Sequence, residues 1–590
     1  GRFCEERGVC LVIPDNKRIN QDIIVPSDGR GEAQAGQIVI AELIEQPGSK
    51  NRPLGRIKEV LGEHMAPGME VRIAIASHGI PVDWPEAVVA EAWSFAETVP
   101  EEAIQGRTDL RATPLLTIDG ITARDFDDAV YCEKRGHNWR LLVAIADVSW
   151  YVRPDSALDQ EGRKRGNSVY FPDRAIPMLP EALSNGLCSL KPDVDRLCLV
   201  CEMTLNGEGR LIRSRFVEAV MRSHARLTYE TAAAIVADRN PQVRAEYATL
   251  VPHLDRLYEL YQLLRTSREK RGAMDFDTQE TVIEYGADRK IERILPTERN
   301  DAHRLIEECM ILANVASARF LQRHKMPGLY RVHEGPAEDR LNKLRAFLGE
   351  LGLGLGGSDK PAPLDYCRLL EQVRDRPDAH LIQTVMLRSL AQAVYSPTNA
   401  GHFGLALEAY AHFTSPIRRY PDLQVHRAIR HVLQGGKAAD FTYSLADLAG
   451  LGEHCSMTER RADEAVRDAL EWLKCEFMQD KVGQTFDGII TGVTGFGLFV
   501  ELRGVFVEGL IHVTSLRNDY YQFDPVGHRL HGERSGQVYR LGDSVRVRVA
   551  RVDLDERKID FEPIEVQGQS KDKGRGESKE RRNRSLRRRR

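Results

Sequence analysis

Four aspartates lie within ten positions of this chain, Asp119, Asp125, Asp127 and Asp128. Carboxylates a few ångströms apart repel each other, so a compact fold must protonate some of them or place a cation among them. Oxygen ligands in this number suit Mg²⁺, with Mn²⁺ as a substitute. In an extended segment Asp125 and Asp127 would share a face; Asp128 joins them only if the chain bends, and Asp119 would come from the turn at Gly120. The alternative is a solvated acidic loop, which the flanking apolar residues disfavour.

The composition is that of a water-soluble globular protein of about three or four domains. Of the 590 residues, 42% are hydrophobic and 29% charged. No apolar run approaches the length of a membrane span, because even the stretch from Leu141 is interrupted by Asp147. The ten cysteines have no framework spacing, and Cys198 and Cys201 form a lone pair. We therefore expect reduced thiols and a cytoplasmic location, rather than a metal or redox site. No segment suggests a dimer seam, so we expect a monomer.

Charge is distributed unevenly along the chain. Residues 567–590 contain eleven Lys or Arg and three acidic residues, a net +8, which leaves −12 for residues 1–566 of the total −4. The segment has no aromatic residue and one Leu, so we expect it to be disordered. A basic arm beside an acidic body is typical of an appendage that binds nucleic acid, and the alternative is a solubilising tail.

The first 82 residues predict a small barrel of the oligonucleotide-binding type. Five short segments read as strands, at 8–13, 23–26, 37–44, 54–61 and 70–76. Phe3 is the only aromatic residue before Trp84, so stacking platforms for bases are scarce. Packing, or lining the path of a ligand, is as plausible for this barrel as independent binding.

Residues 83–478 predict one large α+β domain. Strand-like segments lie at 139–146, 168–171 and 197–204, and helical patterns at 85–97, 240–271, 302–319, 340–351, 379–395 and 457–477. Residues 479–566 return to short strands, at 485–493, 497–502, 507–512, 544–553 and 558–562, which predict a second five-stranded barrel. The expected fold is therefore multidomain α+β, with two barrels flanking a large central domain.

A run of basic and aromatic residues from His412 to Asp422 carries the second chemical signal. Two adjacent arginines precede Tyr420 and Pro421, which suggests a turn that presents guanidinium groups. Arg418 is the candidate for holding a scissile phosphate and the charge that develops during attack on it. Arg419 is the second choice and is grouped with the nucleic-acid-binding residues. The alternative is a structural salt bridge to a helix.

The second barrel has the aromatic residues that the first one lacks. Phe496, Phe499 and His512 can converge on one face, and Asp553 and Arg557 would come from the last hairpin. Rings stack on bases of any sequence, and basic side chains follow the phosphates. The order of residues resembles an S1-motif domain. The alternative is that the two phenylalanines belong to the barrel core.

Taken together, these motifs are similar to those of the RNB-domain exoribonucleases of the ribonuclease II superfamily, most closely its ribonuclease R branch. The resemblance covers almost the whole chain and rests on segments 118–130, 169–190, 300–314 and 401–426 and on the S1-like run. It implies a cold-shock-type barrel (1–82), an RNB catalytic domain (83–478), an S1 domain (479–566) and a basic tail (567–590). The tail favours the ribonuclease R branch.

The resemblance also implies residue roles. The four aspartates match the family's Mg²⁺ site, with Asp127 at the position regarded as essential, and Arg418 matches its catalytic arginine. Tyr170 matches the tyrosine that holds the terminal nucleotide, and Phe276 matches the aromatic partner of that clamp. We expect Asp119 and Asp128 chiefly to ligate metal, Asp127 to bridge ions or orient the attacking water, and Asp125 to ligate or to support. Two ions roughly 3.5–4 Å apart would suit the chemistry, but the sequence fixes neither their number nor the ranking of the four acids.

Members of this family hydrolyse RNA processively from the 3′ end and release nucleoside 5′-monophosphates. The implied partners are single-stranded RNA and RNA with a 3′ overhang, with ribosomal or RNA-decay partners through the basic tail, and the implied role is RNA turnover and quality control. One departure from the family concerns substrate loading. Such proteins usually carry a helix-turn-helix region and another cold-shock domain before the position where this chain begins. We therefore expect the chain to be a fragment. Two alternatives remain, an RNA-binding adaptor without activity, and a metal-dependent exonuclease acting on DNA.

Overall fold

The structure, a computed structural model, describes residues 1–15, 19, 21–46, 52–276, 281–286, 290–376, 378–516 and 519–564. The chain divides into two compact units, Gly1–Lys474 and Cys475–Arg590. The predicted disordered tail, 567–590, lies outside the described residues. Within the described ranges, no helix is both long enough and apolar enough to cross a membrane.

The first unit opens with a closed five-stranded barrel of order β1-β2-β3-β5-β4. Its strands are β1 (Arg2–Glu6), β2 (Val9–Ile13), β3 (Ile23–Val25), β4 (Gln37–Glu45) and β5 (Leu54–Glu63). Phe3 is fully buried in the barrel core, so its ring is not a platform for bases. The choice between packing or lining the path of a ligand and independent binding stays a prediction for this barrel.

One predicted strand of this barrel was wrong. Residues 70–76 alternate like a strand but form helix α1 (Met69–His78), which begins after Gly68 and ends at Gly79. The helix is buried on two sides: Met69 and Ile73 pack on the barrel, while Val71 packs on a long helix near the end of the unit. The fifth strand is instead β1, which the turn at Arg7 and Gly8, both with positive φ, joins to β2.

The centre of the first unit is a five-stranded sheet of order β6-β13-β12-β9-β8. The strands of this central region are β6 (Thr108–Asp109), β7 (Thr117–Asp119), β8 (Asp128–Arg135), β9 (Asn138–Ala146), β10 (Val169–Tyr170), β11 (Ala175–Ile176), β12 (Asp195–Leu205), β13 (Leu211–Arg222), β14 (Arg226–Thr228), β15 (Thr281–Tyr285), β16 (Ile291–Pro296), β17 (Tyr330–Val332) and β18 (Val394–Ser396). Alternate residues of β8, β9 and β12 enter two separate apolar clusters, so both faces of the sheet are buried.

Helices cover both faces of this sheet. The helices of this region are α2 (Glu86–Trp93), α3 (Glu101–Ile104), α4 (Val148–Tyr151), α5 (Ala157–Arg165), α6 (Tyr229–Val236), α7 (Pro241–Glu246), α8 (Val251–Arg271), α9 (Asp301–Arg323), α10 (Glu338–Glu350), α11 (Pro363–Val373), α12 (Ala379–Ser389), α13 (Tyr420–Leu433) and α14 (Leu445–Gln479). The helix predicted over 379–395 was too long, because it ends at Ser389 and Val394–Ser396 pairs with β17. The pattern predicted over 240–271 is divided between α7 and α8.

The second unit contains a closed barrel of order β19-β20-β21-β26-β25 and a separate three-stranded sheet. The barrel strands are β19 (Thr485–Thr494), β20 (Gly497–Leu502), β21 (Glu508–His512), β25 (Ser544–Asp553) and β26 (Lys558–Pro563). Strands β22 (Tyr521–Asp524), β23 (Arg529–Gly532) and β24 (Val538–Arg540) form the separate sheet, inserted between β21 and β25. The predicted architecture, two five-stranded barrels on either side of an α+β region in the sequence, is confirmed.

Candidate active site

The four aspartates lie around the start of the central sheet. Asp119 ends β7, which runs parallel to β14, and Asp128 begins β8. The intervening residues have no regular structure, so the two-residue period expected for Asp125 and Asp127 does not apply. Asp119 therefore comes from a strand rather than from the turn at Gly120.

Buried hydrogen bonds fix the irregular segment between these strands. The Ser189 hydroxyl donates to the carbonyl of Arg124 (2.7 Å) and accepts the backbone N–H of Phe126 (3.0 Å). The backbone carbonyl of Asp127 accepts the N–H of Ala146 at 2.9 Å. The acidic side chains are therefore held on a rigid backbone and are not a solvated loop.

Two of the carboxylates are bonded to other predicted site residues. Asp127, which is 4% exposed, accepts the backbone N–H of Ile417 at 2.9 Å through Oδ1, and its Oδ2 lies 3.4 Å from Nε of Arg418. Asp125 accepts a hydrogen bond of 2.7 Å from the hydroxyl of Tyr170. The fold thus brings the aspartates, the arginine and the tyrosine together from segments that are distant in sequence.

Three carboxylate oxygens at this site are buried without a hydrogen-bond partner, Oδ2 of Asp119, of Asp127 and of Asp128. Burial raises the pKa of Asp119 to about 7 and that of Asp127 to about 8. Burial, together with the nearby Asp119 and Asp127, also raises the pKa of Asp128 well above its ordinary value. The side chains therefore form an acidic pocket that is short of positive charge, despite the guanidinium of Arg418.

This donor set fits a divalent cation. Unpartnered carboxylate oxygens in a buried site are what a hard cation binds, and one or two carboxylates completed by water and substrate phosphate are typical of Mg²⁺. In the described ranges, no three His, Cys, Asp or Glu side chains are close enough to complete a site by themselves. A cation held by these carboxylates would therefore need water or other oxygen ligands to complete its coordination.

The two adjacent arginines have different surroundings. The side chain of Arg418 is 46% exposed beside Asp127, and its Nη2 donates to the hydroxyl of Ser415 at 3.1 Å. Arg419 is bound to the fully buried Asp422, with Nη2 donating to Oδ1 at 2.7 Å. A guanidinium that is accessible next to the acidic pocket favours Arg418 for contact with a phosphate.

The two predicted clamp residues are placed differently. Tyr170 ends β10 with its side chain 45% exposed, so its ring is open to a ligand while its hydroxyl is bound to Asp125. Phe276 is half-buried in the segment after α8, immediately before residues 277–280, which are outside the described part. Among the described residues, no ring contact or hydrogen bond joins Phe276 to Tyr170 or to the aspartates, so its role stays a prediction.

Two neighbours of the aspartates were missed by the sequence analysis. Nη2 of Arg226 donates to the carbonyls of Gly120 (2.7 Å) and Ile121 (2.9 Å), which fixes the turn after Asp119. Tyr229 stacks on a histidine of α9, and burial together with Asp119 raises its pKa. Their proximity follows from the parallel pairing of β7 with β14, a long-range contact that has no signature in the local sequence.

In the second unit, an aromatic face forms at one end of the barrel. The rings of Phe496 and Phe499 meet edge to face with centroids 5.9 Å apart, and Phe496 is 50% exposed. Since His512 pairs with Gly497, and Leu510 with Phe499, the side chains of His512 and Phe499 lie on one face of the ladder. Arg557 comes from the turn before β26, whose Asp560 pairs with Leu510, so it lies toward the other end of β21.

Family models match three consecutive regions of the chain. A cold shock domain matches residues 11–85, an RNB domain residues 107–435 and an S1 RNA binding domain residues 479–562. The acidic pocket falls within the RNB match, and the aromatic face within the S1 match. The chain is therefore an RNB-domain protein of the nuclease class with two oligonucleotide-binding-type barrels.

Individual relatives refine this class. Ribonuclease R of Vibrio cholerae is 56% identical over 577 residues, which cover 96% of this chain and 70% of that protein. Ribonuclease R of Escherichia coli is 56% identical over 573 residues, with the same coverage. The apo structure of Mycoplasma genitalium RNase R superposes with a TM-score of 0.89 at 27% identity, covering 96% of this chain and 89% of that one. The chain belongs to the ribonuclease R family, whose members are hydrolases that degrade RNA from the 3′ end.

Proposed function

We propose that this chain hydrolyses RNA processively from its 3′ end and releases nucleoside 5′-monophosphates, using Mg²⁺ held by the aspartate pocket. The observation that carries the proposal is the set of three buried carboxylate oxygens without a hydrogen-bond partner among the described residues, next to the accessible guanidinium of Arg418. A cation would compensate the negative charge of these carboxylates, and the guanidinium would bind the phosphate of an anionic substrate. Mn²⁺, which accepts the same oxygen ligands, is the expected substitute.

The contacts of the four aspartates support a different role for each of them. Asp119 and Asp128 each present an oxygen that has no hydrogen-bond partner among the described residues, and they would hold the cation. Bound there, the cation would lower the pKa of a water and neutralise charge on the phosphate. Asp127 is fixed by the N–H of Ile417, so its second oxygen is directed at Arg418 and at the site of attack. Asp125, bonded to Tyr170, supports the pocket or contributes a further ligand.

Arg418 would hold the scissile phosphate. A guanidinium offers a planar pair of donors that matches phosphate oxygens, and it stabilises the additional negative charge that develops as water attacks. Its Nη2 is bonded to Ser415, which restricts its orientation, while almost half of its side chain remains accessible. Arg419, bound to Asp422, would support this position and lie at the border of the RNA path.

The aromatic residues would hold the RNA. The exposed ring of Tyr170, next to Asp125, would stack on the terminal base and place its phosphate at the pocket, with Phe276 as the second ring of the clamp. Phe496, Phe499, His512 and Arg557 of the S1 region would bind the RNA away from the reaction centre. Two of the M. genitalium RNase R structures contain single-stranded and double-stranded RNA, which supports RNA with a 3′ overhang as a substrate.

Three further points belong to the proposal. All ten cysteines are free thiols, and seven of them are buried, which supports a reducing, cytoplasmic location. We propose that the chain acts as a monomer. The basic residues of 567–590, outside the described part, would contact RNA or ribosomal and RNA-decay partners.

A time course on a duplex with a 3′ overhang tests the function. The RNA carries a 5′ label and is incubated with the chain in Mg²⁺, in Mn²⁺ and in chelator, beside a DNA strand of the same sequence. We expect direct conversion of the RNA to a very short labelled product in either metal and no reaction in chelator. Bound but intact RNA would support the adaptor alternative, and equal degradation of DNA would contradict selectivity for RNA.

A further inference from the structure

The segment that carries Arg418 is fixed at two points by one buried side chain of α13. Asp422 is fully buried, and its Oδ1 accepts the backbone N–H of Ser415 (2.8 Å) and Nη2 of Arg419 (2.7 Å). These two donors stand on either side of Arg418 in the sequence. A carboxylate can accept both bonds at once, and the charge of Arg419 compensates for its burial.

Between these two points, the segment is attached directly to Asp127. The N–H of Ile417 donates to Asp127 Oδ1 at 2.9 Å, and Nε of Arg418 lies 3.4 Å from Asp127 Oδ2. The hydroxyl of Ser415 also accepts a bond from Arg418 at 3.1 Å. The relative position of the arginine and the aspartate therefore depends on where Ser415 is held.

We propose that Asp422 is a positioning residue of the exonuclease reaction. By holding Ser415 and Arg419, it keeps the N–H of Ile417 and the guanidinium of Arg418 in register with Asp127. This inference rests on the proposed roles of Asp127 and Arg418, since Asp422 itself touches neither substrate nor reacting atoms. Both bonds are accepted by the same oxygen, so an amide could still accept them, and only a side chain without an acceptor removes them.

The test uses Asp422→Ala in the full chain, with Asp159→Ala as the matched control. Asp159 is also buried, and its Oδ1 accepts from an arginine of α13 (Arg427, 2.6 Å) and from the hydroxyl of Tyr420 (2.8 Å). Those bonds lie outside the Ser415–Arg419 segment. Both variants lose a buried ion pair that involves α13, so we expect similar losses of stability.

The readouts separate rate from binding and folding. We measure the single-turnover rate constant at saturating RNA in Mg²⁺, the Kd for the same RNA in chelator, and the melting temperature. Asp422→Ala should lower the rate constant by about 10- to 100-fold with an almost unchanged Kd, because displacing a catalytic group by about 1 Å has effects of this size. Asp159→Ala should keep the wild-type rate constant per folded molecule.

A wild-type rate constant in folded Asp422→Ala, even with a lowered melting temperature, would overturn the proposal. If Asp422→Ala does not fold, Asp422→Glu decides the question, because the longer side chain keeps the charge but displaces the oxygen that accepts from Ser415 and Arg419. A reduced rate constant in that variant supports the proposal, and an unchanged one contradicts it. A failure of the proposed function would look different, since the wild-type chain would then not hydrolyse RNA at all.

A separate observation concerns the inserted sheet of the second unit. A Cβ built on Gly495 would lie 4.0 Å from Cβ of Phe523 on β22, so Phe523 stands beside the turn that carries Phe496. The side chains of Phe523 and Phe496 are 38% and 50% exposed. The aromatic face of the barrel therefore continues onto the inserted sheet.

We infer that Phe523 extends the RNA-binding face of the S1 region and contacts single-stranded RNA. Adjacent exposed rings are the arrangement on which successive bases of any sequence stack. Continuity with Phe496, at the turn of a barrel that matches the S1 RNA binding domain, is what favours RNA over another partner. The inference rests on RNA being the substrate, as proposed above.

The test compares Phe523→Ala with Val526→Ala, each in a chain that carries Asp127→Asn to prevent hydrolysis. Val526 is a matched control, because it is an apolar residue of the inserted sheet's first hairpin with similar exposure, 40%. The Kd for a single-stranded RNA of about 20 nucleotides should rise by about fivefold or more for Phe523→Ala, the lower end of the loss of one stacked base. It should stay at the parent value for Val526→Ala. Equal Kd values for the two variants would contradict the inference.

Discussion

Removing the divalent cation should make the stability of the first unit fall as the pH rises. Burial raises the pKa of Asp127 from 3.8 to about 8, against the opposing effects of Arg418 and the N–H of Ile417 and with smaller contributions from Asp125 and Asp422. A carboxyl with a higher pKa in the folded than in the unfolded chain stabilises the folded state fully below pH 3.8. That contribution is lost progressively as the pH rises through the folded pKa.

The size of the effect follows from these values. Between pH 6 and pH 8, ionisation of Asp127 should lower the stability by about 1 kcal/mol per pH unit, about 2 kcal/mol in total. Asp119, whose pKa is raised to about 7, adds about 1 kcal/mol to this loss, mainly over the lower half of the range. An unfolding entropy of about 2.1 cal/mol/K per residue converts 1 kcal/mol into about 1 °C for a unit of this size. The melting temperature in chelator should therefore fall by about 3 °C between pH 6 and pH 8.

The assay is calorimetry of the chain at pH 6, 7 and 8 and constant ionic strength, in chelator and in saturating Mg²⁺. Mg²⁺ binds the ionised carboxylates, so it should raise the melting temperature most at pH 8. Asp127→Asn cannot ionise at this position and should lose more than half of the pH dependence in chelator. A melting temperature in chelator that does not vary with pH, or the same slope in Asp127→Asn, would refute the reasoning.

Three further predictions concern individual side chains. Arg418→Lys should lower the single-turnover rate constant about 100-fold with RNA affinity nearly unchanged, because a point charge replaces the planar pair of donors; equal losses of rate and affinity would argue against the assigned role. Tyr170→Ala should lengthen the final undegraded fragment, whereas Tyr170→Phe should keep its length and slow the reaction, because only the bond to Asp125 is lost. Gel analysis measures the length of the end products, and equal lengths in all three chains would rule out the clamp. Phe496→Ala should weaken binding of single-stranded RNA by about 5- to 100-fold, as measured by fluorescence anisotropy, and unchanged affinity would exclude the aromatic face as a binding surface.

Much of the fold could be read from the sequence because its local patterns agree with its tertiary structure. The strands of the second barrel begin and end within about one residue of the predicted positions, since turn residues bound them clearly. The helix at Met69–His78 shows the limit of this reasoning. Its apolar residues alternate because the helix packs against both the barrel and α14, and a helix buried on two sides has no single apolar stripe.

The candidate site was predictable in its residue types but not in its connections. The acidic run and the arginine pair are dense local motifs, so Asp127 and Arg418 could be proposed without a structure. The backbone bond from Ile417 to Asp127 joins residues 290 positions apart, and no local pattern encodes it. The same holds for Asp422, whose role becomes visible only when the partners of its buried oxygen are known.

The most direct test of the account is hydrolysis by Asp127→Asn. The substitution keeps the volume of the side chain and an oxygen that can accept the N–H of Ile417, but it removes the negative charge that faces Arg418. We predict that this variant binds a 5′-labelled RNA with wild-type affinity and leaves it intact in Mg²⁺ over a time course in which the wild-type chain reduces it to a short end product. Hydrolysis at a near-normal rate would contradict the central claim that the aspartate pocket is the reaction centre.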